Sequence, residues 1–166
     1  RSTLFPYTTL FRSNLRLIIG ALQSVILGLV VQFPLRLDII HVAAYYALIL
    51  LASVVFCTMI QMITAVLGFP GKFVAVILLM LQLTSAAGTF PIQTEPDVFQ
   101  AISPYVPMTY VVHSLRIAMR GTDLGLVGPD VATLVLFAGA SFLITCLAAR
   151  RRRLITMNDL HPLVDL

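Results

Sequence analysis

The sequence predicts an all-α membrane protein: a polytopic bundle of four transmembrane helices, with a proline-broken helical segment between the last two. Three observations predict it. Hydrophobic residues make up 59% of the 166 residues and charged residues 11%, with a mean hydropathy of +0.98, whereas a soluble domain is nearer half apolar and a quarter charged. Four apolar runs approach or exceed the length that spans a hydrocarbon core. The last of them closes on Arg150, Arg151, Arg152 and Arg153, the pattern of a stop-transfer anchor at a cytoplasmic surface.

The chain opens on RSTLFPYTTLFRS, which has neither an initiator Met nor the basic, apolar, small-residue order of a signal peptide. Residues Thr3 to Ser13 match the in-frame translation of a common sequencing adapter, and Arg1-Ser2 repeats Arg12-Ser13. Residues 1–13 are therefore read as a translated adapter artefact, with no helix expected there. Residues 14–166 are read as a fragment of a C-terminal membrane domain.

The first span covers about 15–33. Gly20, Ala21, Ser24 and Gly28 lie about a turn apart in it, which suits close helix packing in lipid. The second span covers about 39–67, without Asp, Glu, Lys or Arg. Gly68 to Lys72, with Pro70 and Gly71, breaks it from the third span at about 73–90. The second half of that span turns small and polar, through Gln82, Thr84, Ser85, Ala86, Ala87 and Gly88, and Pro91 stops it.

Residues 91–128 stay apolar but are punctuated by Pro91, Pro96, Pro104 and Pro107. Segments of this length read as re-entrant or interfacial helices. One is expected over Asp97–Ser103 and another over Met108–Arg120, started by Pro107. In the second, Val111, Val112, Leu115 and Met119 share a face, and His113, Arg116 and Arg120 point the other way. The fourth span covers about 131–149, with Asp130 placed as its cap. Residues 150–166 form a cytoplasmic tail.

Lys and Arg near span ends set orientation. With the C-terminus in the cytoplasm, Arg16, Lys72 and the four terminal arginines lie inside, and Arg36, Arg116 and Arg120 lie outside. The proline-broken segment is then extracytoplasmic.

The formal charge of +4 and pI near 9.5 come mostly from arginines abutting a span. They point to anionic lipid at the bilayer surface and not to nucleic acid. No HExxH, GxSxG, Walker A or EF-hand pattern occurs, so no enzyme, cofactor or metal site is expected. His41, His113 and His161 are far apart in sequence, and Cys57 and Cys146 lack metal or disulfide spacing.

Polar groups inside spans are costly unless paired or facing water. That makes Gln61 and Gln82 candidates for lining a substrate path, against the alternative of interhelical hydrogen bonds worth ~0.6 kcal/mol each. Glu95 and Asp97 could meet a substrate or stay solvated. Arg116 and Arg120 could pair with them, or snorkel to lipid headgroups.

Several of these residues carry a family resemblance. They are Gln82-Leu83, Gly88-Thr89-Phe90-Pro91-Ile92, Pro107-Met108-Thr109-Tyr110 and Leu115-Arg116, supported by Gly68, Gly71, Lys72 and the terminal Leu160-His161-Pro162. The chain resembles the C-terminal membrane region of the YhgE/Pip (phage infection protein) family, among the ABC-2 type transporter permeases. The resemblance implies a re-entrant helical hairpin on the outer side between the last two spans. It implies alternating access driven by a separate cytoplasmic ABC ATPase, and a location in the bacterial cell membrane, with a homodimer as a further expected assembly. The family also includes phage receptors and relatives of secretion components. The competing readings are therefore a membrane anchor for a lost outer receptor domain, or a scaffold in a secretion machine.

Overall fold

A computed structural model describes residues 5–34, 38–86, 96–121 and 123–158. Among these residues every regular element is helical and no strand occurs. Its helices are α1 (Phe5–Gln32), α2 (Val42–Leu67), α3 (Gly71–Ser85), α4 (Asp97–Ile102), α5 (Pro107–Arg120) and α6 (Gly128–Asn158). Single 3-10 turns at Ser103–Tyr105 and Leu124–Val127 lead into α5 and α6.

The central helix is α2, which packs against α1, α3, α5 and α6. Its buried residues Tyr45, Leu48, Ala52, Val55, Met59 and Ile63 recur every three or four positions, the repeat of one helical face. Leu48 packs with Ile117, Ala118 and Val127. One to two turns further along, Ala52 and Val55 pack with Val111 and Leu134. These pairings make α2 and α6 parallel and α5 antiparallel to both.

Antiparallel packing also brings α1 onto α2 through its small residues. A Cβ at Gly20 would lie 2.9 Å from Cys57 Sγ and 3.0 Å from Ser53 Oγ, and one at Gly28 would lie 2.9 Å from Tyr46 Cε1. The Tyr46 hydroxyl closes this contact by donating to Gln32 Oε1 at 2.8 Å. Gly20→Val is expected to cost about 1–2 kcal/mol, because only side-chain atoms must give way. Thermal unfolding in detergent checks this: an unchanged midpoint would mean that α1 does not seat on α2.

At Gly68 (φ 70°) the chain reverses, and the Gly68 N–H donates to Thr64 O at 3.0 Å. Helix α3 then returns along α2 for 15 residues, about 22 Å, and its last turn brings Gln82 to Met59. Beyond it, α5 continues in the same direction along α2. Met108 in its first turn shares a cleft with Phe56, and at its far end Ala118 O accepts from His41 N–H at 3.3 Å. Thus α3 and α5 lie head to tail along one side of α2, with α4 packed beside α3.

The exterior is apolar. Ile18 and Leu22 on α1, Ile77 and Met80 on α3, and Leu136 and Phe142 on α6 are all exposed. Apolar surface on this scale marks a lipid or protein partner. Two helices, Val42–Leu67 and Leu124–Ala149, are long and apolar enough to cross a membrane, which is compatible with a membrane location. Leu17–Gln32 and Gly71–Ser85 are shorter apolar helices.

Several expectations are corrected here. The opening segment is not helix-free: α1 already begins at Phe5. Pro6 sits in the first turn, where a missing N–H is tolerated, and no Gly or Pro follows before Gly20. The helix of the fourth expected span, α6, starts at Gly128 and runs to Asn158, so Arg150, Arg151, Arg152 and Arg153 belong to it and the tail begins as helix. Arginine is a good helix former. Asp130 is not a cap, because it lies inside the first turn of α6. The buried face of α5 is Pro107, Val111, Ser114, Ile117 and Ala118, whereas Val112, Leu115 and Met119 are only half-buried. By contrast, the short helices expected after Pro96 and Pro107 both form.

Candidate functional site

The start of α5 is set by its own sequence. A residue before proline favours extended backbone, and Val106 adopts φ −106°, ψ 123°. Pro107 then occupies the first helical turn, where it needs no N–H partner. Thr109 Oγ1 donates to Ser103 O at 2.8 Å, and the Tyr110 hydroxyl donates to Pro104 O at 2.8 Å. The Pro107-Met108-Thr109-Tyr110 element therefore fastens α5 to the 3-10 turn before it and leaves Met108 facing α2 and α3.

Between these helices lies a cleft of about 220 Å³, lined by Phe56, Leu79, Gln82, Leu83 and Met108. Gln82 is 3% exposed, and its Nε2 donates to Met59 Sδ at 3.6 Å. A thioether is a weak acceptor. Among the described residues no ionisable side chain lines the cleft. The structure thus joins one candidate path-lining residue, Gln82, to Met108 of the family-like element.

Gln61 does not line this cleft. It lies one turn beyond Cys57, continuing the stripe of α2 that meets α1, and it is half-buried. The two glutamines are therefore on different helices and apart: Gln61 belongs to α2, whereas Gln82 belongs to α3 and meets α2 at Met59. Arg116 and Arg120 are exposed on α5, as is His113. Gly88, Thr89, Phe90 and Pro91 lie outside the described residues, as does Glu95.

A second polar cluster joins α5 to α6. Asp130 is buried, and its Oδ2 accepts from His113 Nδ1 at 2.6 Å and from Ser114 Oγ at 3.0 Å. The carboxylate also sits in the first turn of α6, where the helix dipole favours negative charge. Sequence reading missed this cluster. His113 and Asp130 are separated by a helix end and a 3-10 turn, so no spacing rule links them. No group of three or more His, Cys, Asp or Glu residues suited to a metal occurs among the described residues.

No family model matches the chain, and no solved structure matches it. It is 33% identical over 112 residues to "Uncharacterized protein YhgE" of Bacillus subtilis (strain 168). The alignment takes in 68% of this chain and 14% of that protein, so the chain spans a small part of its relative's length. This similarity supports a YhgE-like relationship.

Proposed function

We propose that the chain is the membrane-embedded part of an ABC-2 type permease in the bacterial cell membrane. It passes an unidentified substrate while a separate cytoplasmic ATPase supplies the energy, and it does no chemistry itself. The observation that carries this reading is the cleft where α3 meets α5, about midway along α2. A simple anchor has no use for an opening there. In this reading α1, α2 and α6 cross the bilayer, and α3 makes a fourth, shorter crossing that follows α2 in the chain. The segment holding α4 and α5 enters from the outer side and returns to it, which is how α5 comes to end beside the start of α2. Non-helical backbone at that depth is tolerated where it is buried in protein or lines a cavity. The terminal arginines support a cytoplasmic C-terminus, and a second copy of the chain would complete a symmetric permease.

The second reading, a membrane anchor for an outer receptor domain or a secretion scaffold, is favoured by the dry α2–α5–α6 core around Val55 and Leu134. Co-purification of the full-length protein in detergent separates the two. A stoichiometric ATPase is the expected result, and its repeated absence would leave the anchor.

Topology is checked separately. In a background with Cys57 and Cys146 replaced by alanine, Gly125→Cys is expected to react in intact cells with a membrane-impermeant maleimide. Asn158→Cys is expected to react only after permeabilisation. The reverse pattern would overturn the orientation.

A further inference from the structure

The cleft holds a hydrogen-bonding demand that the described residues leave unmet. Gln82 is 3% exposed and borders the cleft. Its one side-chain hydrogen bond among the described residues is the long contact to Met59 Sδ. The carbonyl oxygen has no partner among them and is open to the cleft, not enclosed by protein. Buried polar groups are nearly always paired, and at this depth lipid tails supply neither donor nor acceptor. A lone water is a poor answer, because a buried water needs two to four polar partners and the described lining offers one polar side chain.

The remaining lining gives the character of the missing partner. Phe56, Leu79, Leu83 and Met108 are apolar, and Met108 can adapt its shape to irregular chains. A charged group here would be desolvated with no counter-charge among the described lining residues. The volume, about 220 Å³, exceeds the roughly 150 Å³ that admits a benzene ring. It falls below the roughly 300 Å³ at which pockets enclose a whole drug-sized ligand. The cleft therefore seats a segment of a molecule. Leu79 and Leu83 are exposed one turn apart on α3, so the open side joins the apolar exterior of that helix.

We infer that the cleft binds an alkyl segment of an uncharged amphiphile entering from the bilayer, with an amide or hydroxyl group of that molecule paired to the Gln82 side chain. This names a substrate class for the permease reading and rests on it for the word substrate. A primary amide fits best, since it can accept from Gln82 Nε2 and donate to Gln82 Oε1. An alkyl carboxylate or ammonium is rejected on charge, and a plain alkane gains no hydrogen bond.

The test uses the full-length protein in phosphatidylcholine nanodiscs and three diazirine-bearing probes of equal chain length: a primary alkyl amide, an alkyl carboxylate and an alkane. After irradiation, the amide probe is expected to label peptides containing Leu79 to Leu83 or Met108 about five-fold more than the other two, the worth of one net hydrogen bond. Gln82→Leu is expected to lower amide labelling to the alkane level without changing alkane labelling. Equal labelling by all three probes, or amide labelling that survives Gln82→Leu, would overturn the inference. Competition on the unaltered protein by dodecanamide against dodecane gives the same discrimination without any variant. Labelling as expected with no co-purifying ATPase would sink the permease reading and keep the site. An ATPase without selective labelling would sink the site alone.

Discussion

Replacing His113 and Ser114 together with alanine is expected to destabilise the bundle more than removing Asp130, the residue they both hold. Asp130 is buried at the start of α6, and both of its side-chain hydrogen bonds among the described residues go to one carboxylate oxygen. Stripping both donors leaves a desolvated charge without partners, which commonly costs about 3–5 kcal/mol. The His113 ring is 61% exposed, so water can reach that side of the carboxylate and lower the cost to about 2–3 kcal/mol. Asp130→Ala instead removes the charge. It leaves Ser114 free to donate to the carbonyl one turn back in α5, and the expected loss is about 1–1.5 kcal/mol. Adding Asp130→Ala to the double variant should therefore restore stability. Equilibrium unfolding in mixed micelles, followed by circular dichroism, ranks the three. If the triple variant is the least stable, the carboxylate is not the centre of this cluster.

That cluster also shows where sequence reading reaches its limit. The ends of α2, the reversal at Gly68 to Gly71 and the helices after Pro96 and Pro107 were legible because their causes are local. A charge-free run, a glycine at positive φ and a proline after extended backbone each act within a few residues. The role of Asp130 was not local. It looked like a cap for the apolar run behind it, but the 3-10 turn at Leu124–Val127 starts the helix earlier and turns the carboxylate toward α5. The one acidic residue at that helix start was legible, but its partners were not.

The two glutamines make the same point for the candidate site. In water, the apolar stripe of a helix tells which face is buried. In α2 and α3 nearly every residue is apolar, and lipid is as good a surround as protein, so the pattern cannot say which way Gln61 or Gln82 faces. Only packing separates them: Gln61 on the α1 side of α2, Gln82 against Met59 and the cleft. The Pro107-Met108-Thr109-Tyr110 element was singled out by resemblance alone. Its physical reason, anchoring α5 to Ser103 and Pro104 while presenting Met108, appears once the fold is in place.

The same substitution at two glycines is expected to act with opposite signs. A Cβ on Gly71 would lie 2.8 Å from Ile63 O and 3.0 Å from Thr64 Cα. Both are backbone atoms of α2, so no side-chain rotation relieves the clash and the α2–α3 turn must open. Forced overpacking of this kind costs about 1–3 kcal/mol. The gain in helix propensity from Gly to Ala is about 1 kcal/mol at most, and less at a helix start, so sterics win at Gly71→Ala and win by more at Gly71→Val. A Cβ on Gly139 meets nothing within 4 Å, and that residue lies in the middle of α6. Gly139→Ala should therefore stabilise by about 0.5–1 kcal/mol. Lifting α3 from α2 would also draw Gln82 away from Met59 and widen the cleft, so Gly71→Val should weaken selective labelling by the amide probe as well as lower the unfolding midpoint. Unfolding midpoints that move the same way for Gly71→Ala and Gly139→Ala would mean that α3 does not pack on α2 as closely as this turn requires.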